Sequence, residues 1–308
     1  MNESILITGA NAGLGKEAAR QLALKKETKK VILFCRNQVK AEAAKKDLEE
    51  QTGKRIFEII IGDVADANSV RKAIEKIKEP IDAVILNAGG VVGKTAAKIT
   101  PSGMNELAAT NILGHVILVD ELIKHNKLRK TVLSVSAEAV PGVKALGMKP
   151  VAMKTSSVDE FAAVLDGSYF GNKFDVTQAY GYVKYVTSMW TLSMARKYPD
   201  IKFVVMSPGN TKGTLAPNNL PPPMKFMLKN FMMPIVFPLM GGMVHKLEVG
   251  AKRFVDGISD EQYKSGVFYA SKEGKLSGDV VDQSTFFTSL KNTTFQDNAN
   301  EAIHRFIK

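Results

Sequence analysis

Tyr180 and Lys184 stand four residues apart in a stretch, Val176 to Arg196, whose apolar positions repeat at helical spacing. Both side chains therefore face the same way. A phenol titrates at about 10, too high for efficient proton transfer at neutral pH, and an ammonium one turn away favours phenolate and lowers that value. The pair is a candidate proton donor with its tuning cation. Tyr182 and Tyr185 compete, but neither has a lysine four residues on.

A second chemical signal opens the chain. Thr8-Gly9-Ala10-Asn11-Ala12-Gly13-Leu14-Gly15 follows the strand-like run Ile5-Leu6-Ile7 and precedes a helical run beginning at Lys16. A pyrophosphate needs backbone N–H groups at a helix N-terminus and glycines that let the backbone approach. The spacing is Gly-x-x-x-Gly-x-Gly; a P-loop is excluded because Glu17 follows Lys16 where a magnesium-binding Ser or Thr is required. At the end of the second strand, where an acid would accept hydrogen bonds from a ribose, Arg36 stands with Asn37 beside it. An arginine suits a 2′-phosphate, so NADP(H) is expected rather than NAD(H).

The elements that must position these groups alternate. Strand-like runs at Val31 to Phe34, Ile56 to Ile61, Ile81 to Leu86, Val132 to Val135 and Phe203 to Met206 are separated by helical stretches at Lys16 to Leu24, Val39 to Glu50, Ser69 to Ile77, near Met104 to Ile123, and Val176 to Arg196. This series predicts an α/β fold, a Rossmann-type doubly wound parallel sheet with helices on both faces and the ligand at the carboxyl ends of the strands. One domain over 1–308 is expected. Residues 137–178, broken by Pro141-Gly142 and Pro150, read as an insertion. An apolar Met-, Phe- and Pro-rich segment at about 212–245, densest from 220 to 243, reads as core packing, a substrate lid or a membrane-surface contact, and its most apolar part is too short and proline-broken to span a bilayer.

Composition narrows the class. With 308 residues and 45% hydrophobic composition the chain can bury a large core. The single cysteine, Cys35, permits no internal disulfide, and His115, His125, His245 and His304 form no metal-ligand spacing, so no metal is expected. The first strand leaves no room for a signal peptide, which points to a cytoplasmic protein with membrane association left open. The net charge of +11 raises the potential for nucleic acid, membrane or phosphorylated ligand alike; without base-stacking aromatics on a basic face, no nucleic-acid partner is expected.

On these residues the chain resembles the short-chain dehydrogenase/reductases over nearly its whole length. Gly9 to Lys16, Cys35-Arg36 and Asn111-Ile112-Leu113-Gly114-His115 look most like the retinol dehydrogenase and protochlorophyllide reductase branch. The resemblance implies Asp63-Val64 at the adenine, Asn87-Ala88-Gly89 supporting the sheet and cofactor, and Asn111 as the catalytic asparagine. It also implies Lys184 on the nicotinamide ribose, and Ser207-Pro208-Gly209 with Thr211 and Thr214 at the nicotinamide-side turn. The family usually ends the fifth strand with two small hydroxyl residues, whereas here Ala137 follows Ser136; Ser136 is taken as the substrate-orienting hydroxyl, with Ser134, on the same strand face, as the spare. The expected activity is hydride transfer between nicotinamide and a carbonyl or alcohol of a lipophilic small molecule, with Tyr180 giving the proton and Asn111 and Lys184 holding a water. A homodimer through the helices near 104–123 and 176–196 is a family habit. Two alternatives stand beside it. One is a sugar-nucleotide epimerase or dehydratase, disfavoured by length and glycine spacing; the other is a non-catalytic NADP-binding sensor or scaffold, suggested by Ala137.

Overall fold

The computed structural model describes residues 2–142, 149–212 and 244–307. Thr214 and the apolar stretch from 220 to 243 lie outside the described residues. Seven parallel strands, β1 (Ser4–Thr8), β2 (Lys30–Cys35), β3 (Phe57–Ile61), β4 (Ile81–Leu86), β5 (Leu128–Val135), β6 (Lys202–Met206) and β7 (Val267–Ser271), form one sheet closed by the antiparallel β8 (Val280–Asp282). Their order is β3-β2-β1-β4-β5-β6-β7-β8. The winding reverses between β1 and β4, which leaves a crevice at the carboxyl ends of those two strands.

The aliphatic runs of these strands follow from burial on both faces. Alternate residues divide between two cores. Leu6, Ile32, Val84, Val132 and Phe203 pack with α3 (Ala67–Glu75), α5 (Gly114–Lys124) and α7 (Val176–Lys197). Ile5, Ile7, Leu33, Leu133 and Val204 pack with α1 (Gly13–Ala23), α2 (Gln38–Thr52) and α8 (Leu247–Ser259).

Three features depart from the sequence expectation. The helix expected near 104–123 begins as one short turn, α4 (Glu106–Ala108), widens into a π turn over Ala109–Leu113 and only then becomes α5. The insertion contains its own helix, α6 (Val158–Asp166), capped by the Ser157 side chain on Glu160 N. Beyond β6 the chain adds α8, β7, β8 and α9 (Thr293–His304).

Helix α9 packs on both α7 and α6. Ser193 Oγ donates to Asp297 Oδ1 at 2.7 Å, Arg196 Nε donates to Gln296 Oε1 at 2.8 Å, and His304 Nε2 lies 2.9 Å from Asp120 Oδ2 on α5. With the sheet on one side and α6 and α9 on another, α7 is buried from Gly181 through Met194, as a helix with apolar residues all round must be. Part of the α7 surface is covered by this chain's own α6 and α9.

Candidate active site

The glycine loop joins β1 to α1 at the crevice. Helices α2, α3, α6 and α7 begin with side-chain caps from Asn37, Asp66, Ser157 and Asp175, but α1 begins at Ala12 with none. Its first N–H groups are left to an outside acceptor, and the helix dipole favours an anion there. A Cβ on Gly15 would stand 2.5 Å from Asn87 Nδ2 and 2.6 Å from Gly9 O, so only glycine lets α1 sit this close to β4. Asn87 Nδ2 donates to Thr8 O at 2.9 Å and Ala88 N donates to Thr8 Oγ1 at 2.9 Å, locking the ends of β1 and β4 together. The residues present fit a dinucleotide pyrophosphate. Beneath the loop lies Cys35, 1% exposed, its thiol facing the Ala10 and Asn11 N–H groups and pushed up to about 11 by burial.

At the outer edge of this cradle, Arg36 is 75% exposed and places Nη1 3.6 Å from Asp63 Oδ2. Asp63 Oδ1 accepts from Ala65 N at 3.0 Å, fixing the turn that includes Val64, and Val64 O receives Gly114 N at 2.8 Å. Asn37 spends its side chain capping α2, accepting from Lys40 N at 2.9 Å.

Asn111 sits fully buried in the π turn. Its Oδ1 accepts from Gly90 N at 2.9 Å, while Nδ2 donates to Gly90 O at 3.0 Å and Leu107 O at 2.8 Å. Gly89, at φ 128°, passes so close that a Cβ there would lie 2.5 Å from Asn111 Oδ1. The Asn111 amide is thus committed to holding the Asn87-Ala88-Gly89 loop against the widened turn. Its main-chain oxygen lies 3.2 Å from His115 Nδ1, and His115 Nε2 lies 3.0 Å from Thr8 Oγ1. A carbonyl only accepts, so Nδ1 carries the hydrogen and Nε2 accepts from Thr8. Sequence reading named His115 only as part of a motif; its links depend on contacts across the sheet. Burial, helped by the Lys184 charge, lowers His115 to about 3 and keeps the ring neutral.

Tyr180 and Lys184 share the face of α7 turned toward β5. Lys184 is 2% exposed; its Nζ donates to Val135 O at 3.0 Å and lies 5.6 Å from the centre of the Tyr180 ring. Burial drives the two in opposite directions, the phenol up to about 12 and the ammonium down to about 8. The expected lowering of Tyr180 by Lys184 is therefore outweighed here by desolvation, which disfavours both charged forms.

Ser136, expected as the substrate-orienting hydroxyl, hydrogen-bonds within the protein. Its Oγ is buried 2.9 Å from Ser188 Oγ, and Ser188 Oγ donates to Lys184 O at 2.7 Å, so Ser136 donates into α7. Ser188 lies eight residues beyond Tyr180, roughly 12 Å along the helix. Ser134 also meets α7 one step deeper, with the direction reversed, accepting from Thr191 Oγ1 at 2.8 Å.

The turn after β6 completes the site. Pro208 O accepts from His245 Nε2 at 2.7 Å, and Thr211 Oγ1 lies 3.1 Å from the same nitrogen. A Cβ on Gly250 would lie 2.4 Å from Thr211 Oγ1, 2.9 Å from Leu14 Cδ2 and 3.2 Å from Pro208 O, so this turn and the glycine loop meet at one helix. His245 and Arg253, which hold the turn, carry no local sequence signal that distinguishes them. Among the described residues there is no group of three or more His, Cys, Asp or Glu that could hold a metal, and no helix long and apolar enough to cross a membrane.

A crevice at the sheet's reversal, an uncapped glycine-rich helix start and the Tyr180–Lys184 pair at the end of β5 are carried on one doubly wound, Rossmann-type sheet. A family model described as short chain dehydrogenase matches residues 3–144. The chain is 29% identical to dehydrogenase/reductase SDR family member 12 of Bos taurus over 210 residues, covering 67% of this chain but only 60% of that protein. It is 29% identical to the chloroplastic protochlorophyllide reductase of Daucus carota over 306 residues, 91% of this chain and 74% of that one. The structure of L-sorbose reductase from Gluconobacter frateurii, complexed with NADPH and L-sorbose, shares the fold at TM-score 0.63 and 17% identity, covering 91% of this chain and 98% of that one. The first half of the chain thus matches the short chain dehydrogenase model, and the chain is similar to short-chain dehydrogenase/reductases over most of its length.

Proposed function

We propose that the chain binds NADP(H) and reduces, or forms by the reverse reaction, a carbonyl of an apolar small molecule. The observation that carries this is the Tyr180–Lys184 pair at the end of β5, on the same sheet whose β1 leads into the uncapped start of α1. When bound, NADPH supplies the hydride for the carbonyl carbon. Tyr180, neutral at physiological pH because burial raises its phenol, holds the proton that the developing alkoxide takes from Oη. Lys184, with Nζ on Val135 O, would hold the nicotinamide ribose when the cofactor binds and would supply the positive charge that stabilises the phenolate. Asn111 and Gly89 hold the loop on which the cofactor rests. The exposed Arg36 supports the 2′-phosphate form.

The deciding measurement is NADPH oxidation against a panel of apolar aldehydes and ketones, with NADH, Tyr180→Phe and Arg36→Ala alongside. Turnover that prefers NADPH, is lost in Tyr180→Phe and loses its coenzyme preference in Arg36→Ala is the expected result. Saturable NADPH binding with no turnover across the panel would favour the sensor or scaffold reading, which Ala137 suggests.

A further inference from the structure

One buried cation takes no part in the proton transfer proposed above. Arg253, on α8, is 4% exposed, and its guanidinium reaches the ends of three strands. Nη1 donates to Ser207 O at 3.1 Å after β6, and Nη2 donates to Ser271 Oγ at 3.1 Å at the end of β7 and to Gly278 O at 2.9 Å in the β7–β8 turn. From the end of β5, Glu138 approaches to 3.5 Å and accepts from Ser271 N at 3.1 Å and Ser271 Oγ at 2.9 Å. The guanidinium also packs against the backbone of Gly209. That residue has φ 72°, and a Cβ there would stand 2.9 Å from Nη1.

We propose that Arg253 is a positioning residue for the nicotinamide half of the cofactor, fixing the Ser207-Pro208-Gly209 turn through its bond to Ser207 O, with Glu138 holding Arg253 and Ser271 in place. This rests on the NADP(H) reading above. A guanidinium suits the task because its fork satisfies three acceptors in one plane without losing charge, whereas a lysine offers one point of attachment. The turn it holds meets the glycine loop at Gly250 and Leu14, so a shift of Pro208 moves the surface on which the cofactor's reacting end lies. Arg36 and Asp63, proposed for the adenine end, follow β2 and β3, on the opposite side of β1 from β6 and its turn.

The test compares two ligands on Arg253→Lys, Arg253→Ala and Glu138→Gln, with Kd measured by calorimetry and folding checked by thermal melting. NADPH probes the whole site and 2′,5′-ADP only its adenine half. NADPH affinity should fall roughly tenfold in Arg253→Lys with 2′,5′-ADP unchanged, and millimolar guanidinium should restore part of the loss in Arg253→Ala. Equal losses for both ligands, or an unchanged NADPH affinity in a folded Arg253→Lys, would overturn the proposal. Wild-type protein that binds neither ligand would instead remove the NADP(H) reading itself.

Discussion

The hydroxyls of Ser136 and Ser188 meet 2.9 Å apart inside the protein, at the junction of β5 with α7. Because Ser188 in turn donates to Lys184 O, the serine expected to touch substrate braces the helix that carries Tyr180. Ala137, which follows it, presents only a methyl group.

This arrangement separates two mutations that a conventional site would make alike. Ser136→Ala should cost about 1 kcal/mol of stability, the net worth of one buried hydrogen bond, and leave turnover within a few-fold of wild type. Tyr180→Phe should reduce turnover by about a hundredfold or more with little change in stability. Steady-state kinetics with paired melts checks both; a Ser136→Ala protein of normal stability but no activity would return the substrate-orienting role to this serine.

Lys184 gives a pH signature. Its folded value of about 8 lies below the ordinary 10.5, so between those values the unfolded chain binds more protons and stability rises with pH. Below pH 8 the buried ammonium carries a penalty on the order of 3 kcal/mol. Lys184→Met should therefore stabilise the fold at pH 7, less the cost of the freed Val135 carbonyl, and this gain should shrink toward pH 10. Denaturant unfolding at both pH values measures it, and a difference independent of pH would contradict the assignment.

His115 acts in the opposite range. Its folded value of about 3 lies below the ordinary 6.5, so its contribution is complete above pH 6.5 and is lost as pH falls toward 3. His115→Gln, which cannot titrate, should lose less stability than wild type between pH 7 and pH 4.5. Parallel acid-unfolding curves for the two proteins would speak against a neutral buried imidazole.

Two glycines of the loop should respond differently. Gly15→Ala drives a methyl into Asn87 Nδ2 and Gly9 O and should destabilise the fold by several kcal/mol. Gly13, at φ 53°, has nothing within 4 Å of a built Cβ, so Gly13→Ala should cost the fold about 1 kcal/mol of backbone strain while placing a methyl where the pyrophosphate would lie. Melting temperature and NADPH affinity together distinguish them: an intact fold with lost binding is expected for Gly13→Ala alone.

The covering of α7 by α6 and α9 predicts no association through that face. Cross-linking at micromolar concentration should give no α7-to-α7 product, whatever the mass of the particle. Cross-links joining α7 to α7 would refute it.

Much of this architecture was legible in the residues. The glycine loop, the aliphatic strands and the Tyr180–Lys184 spacing are local patterns, each enforced by one turn of backbone or one period of a helix. What escaped depends on distant partners. Arg253 sits in Ala251-Lys252-Arg253-Phe254, which reads as an ordinary helix surface until Ser207, Ser271 and Gly278 close around it. The direction of Ser136 could not be read from period-2 alternation, because Ser134 and Ser136 share a face and the alternation does not say whether that face meets solvent or α7. The π turn at Asn111 is invisible to a 3.6-residue period, since it adds a residue without changing the apolar character of the stretch.

Cys35 gives the molecule a built-in chemical clock. It is the only thiol in the chain, sealed beneath Ala10 and Asn11 with its pKa at about 11, so at pH 8 only about one molecule in a thousand presents a thiolate. Alkylation then requires an opening that exposes the thiol, and its rate follows the population of that opening. A ligand that clamps the first turn of α1 should slow the reaction in proportion to its occupancy, giving a binding assay that needs neither a substrate nor a chromophore.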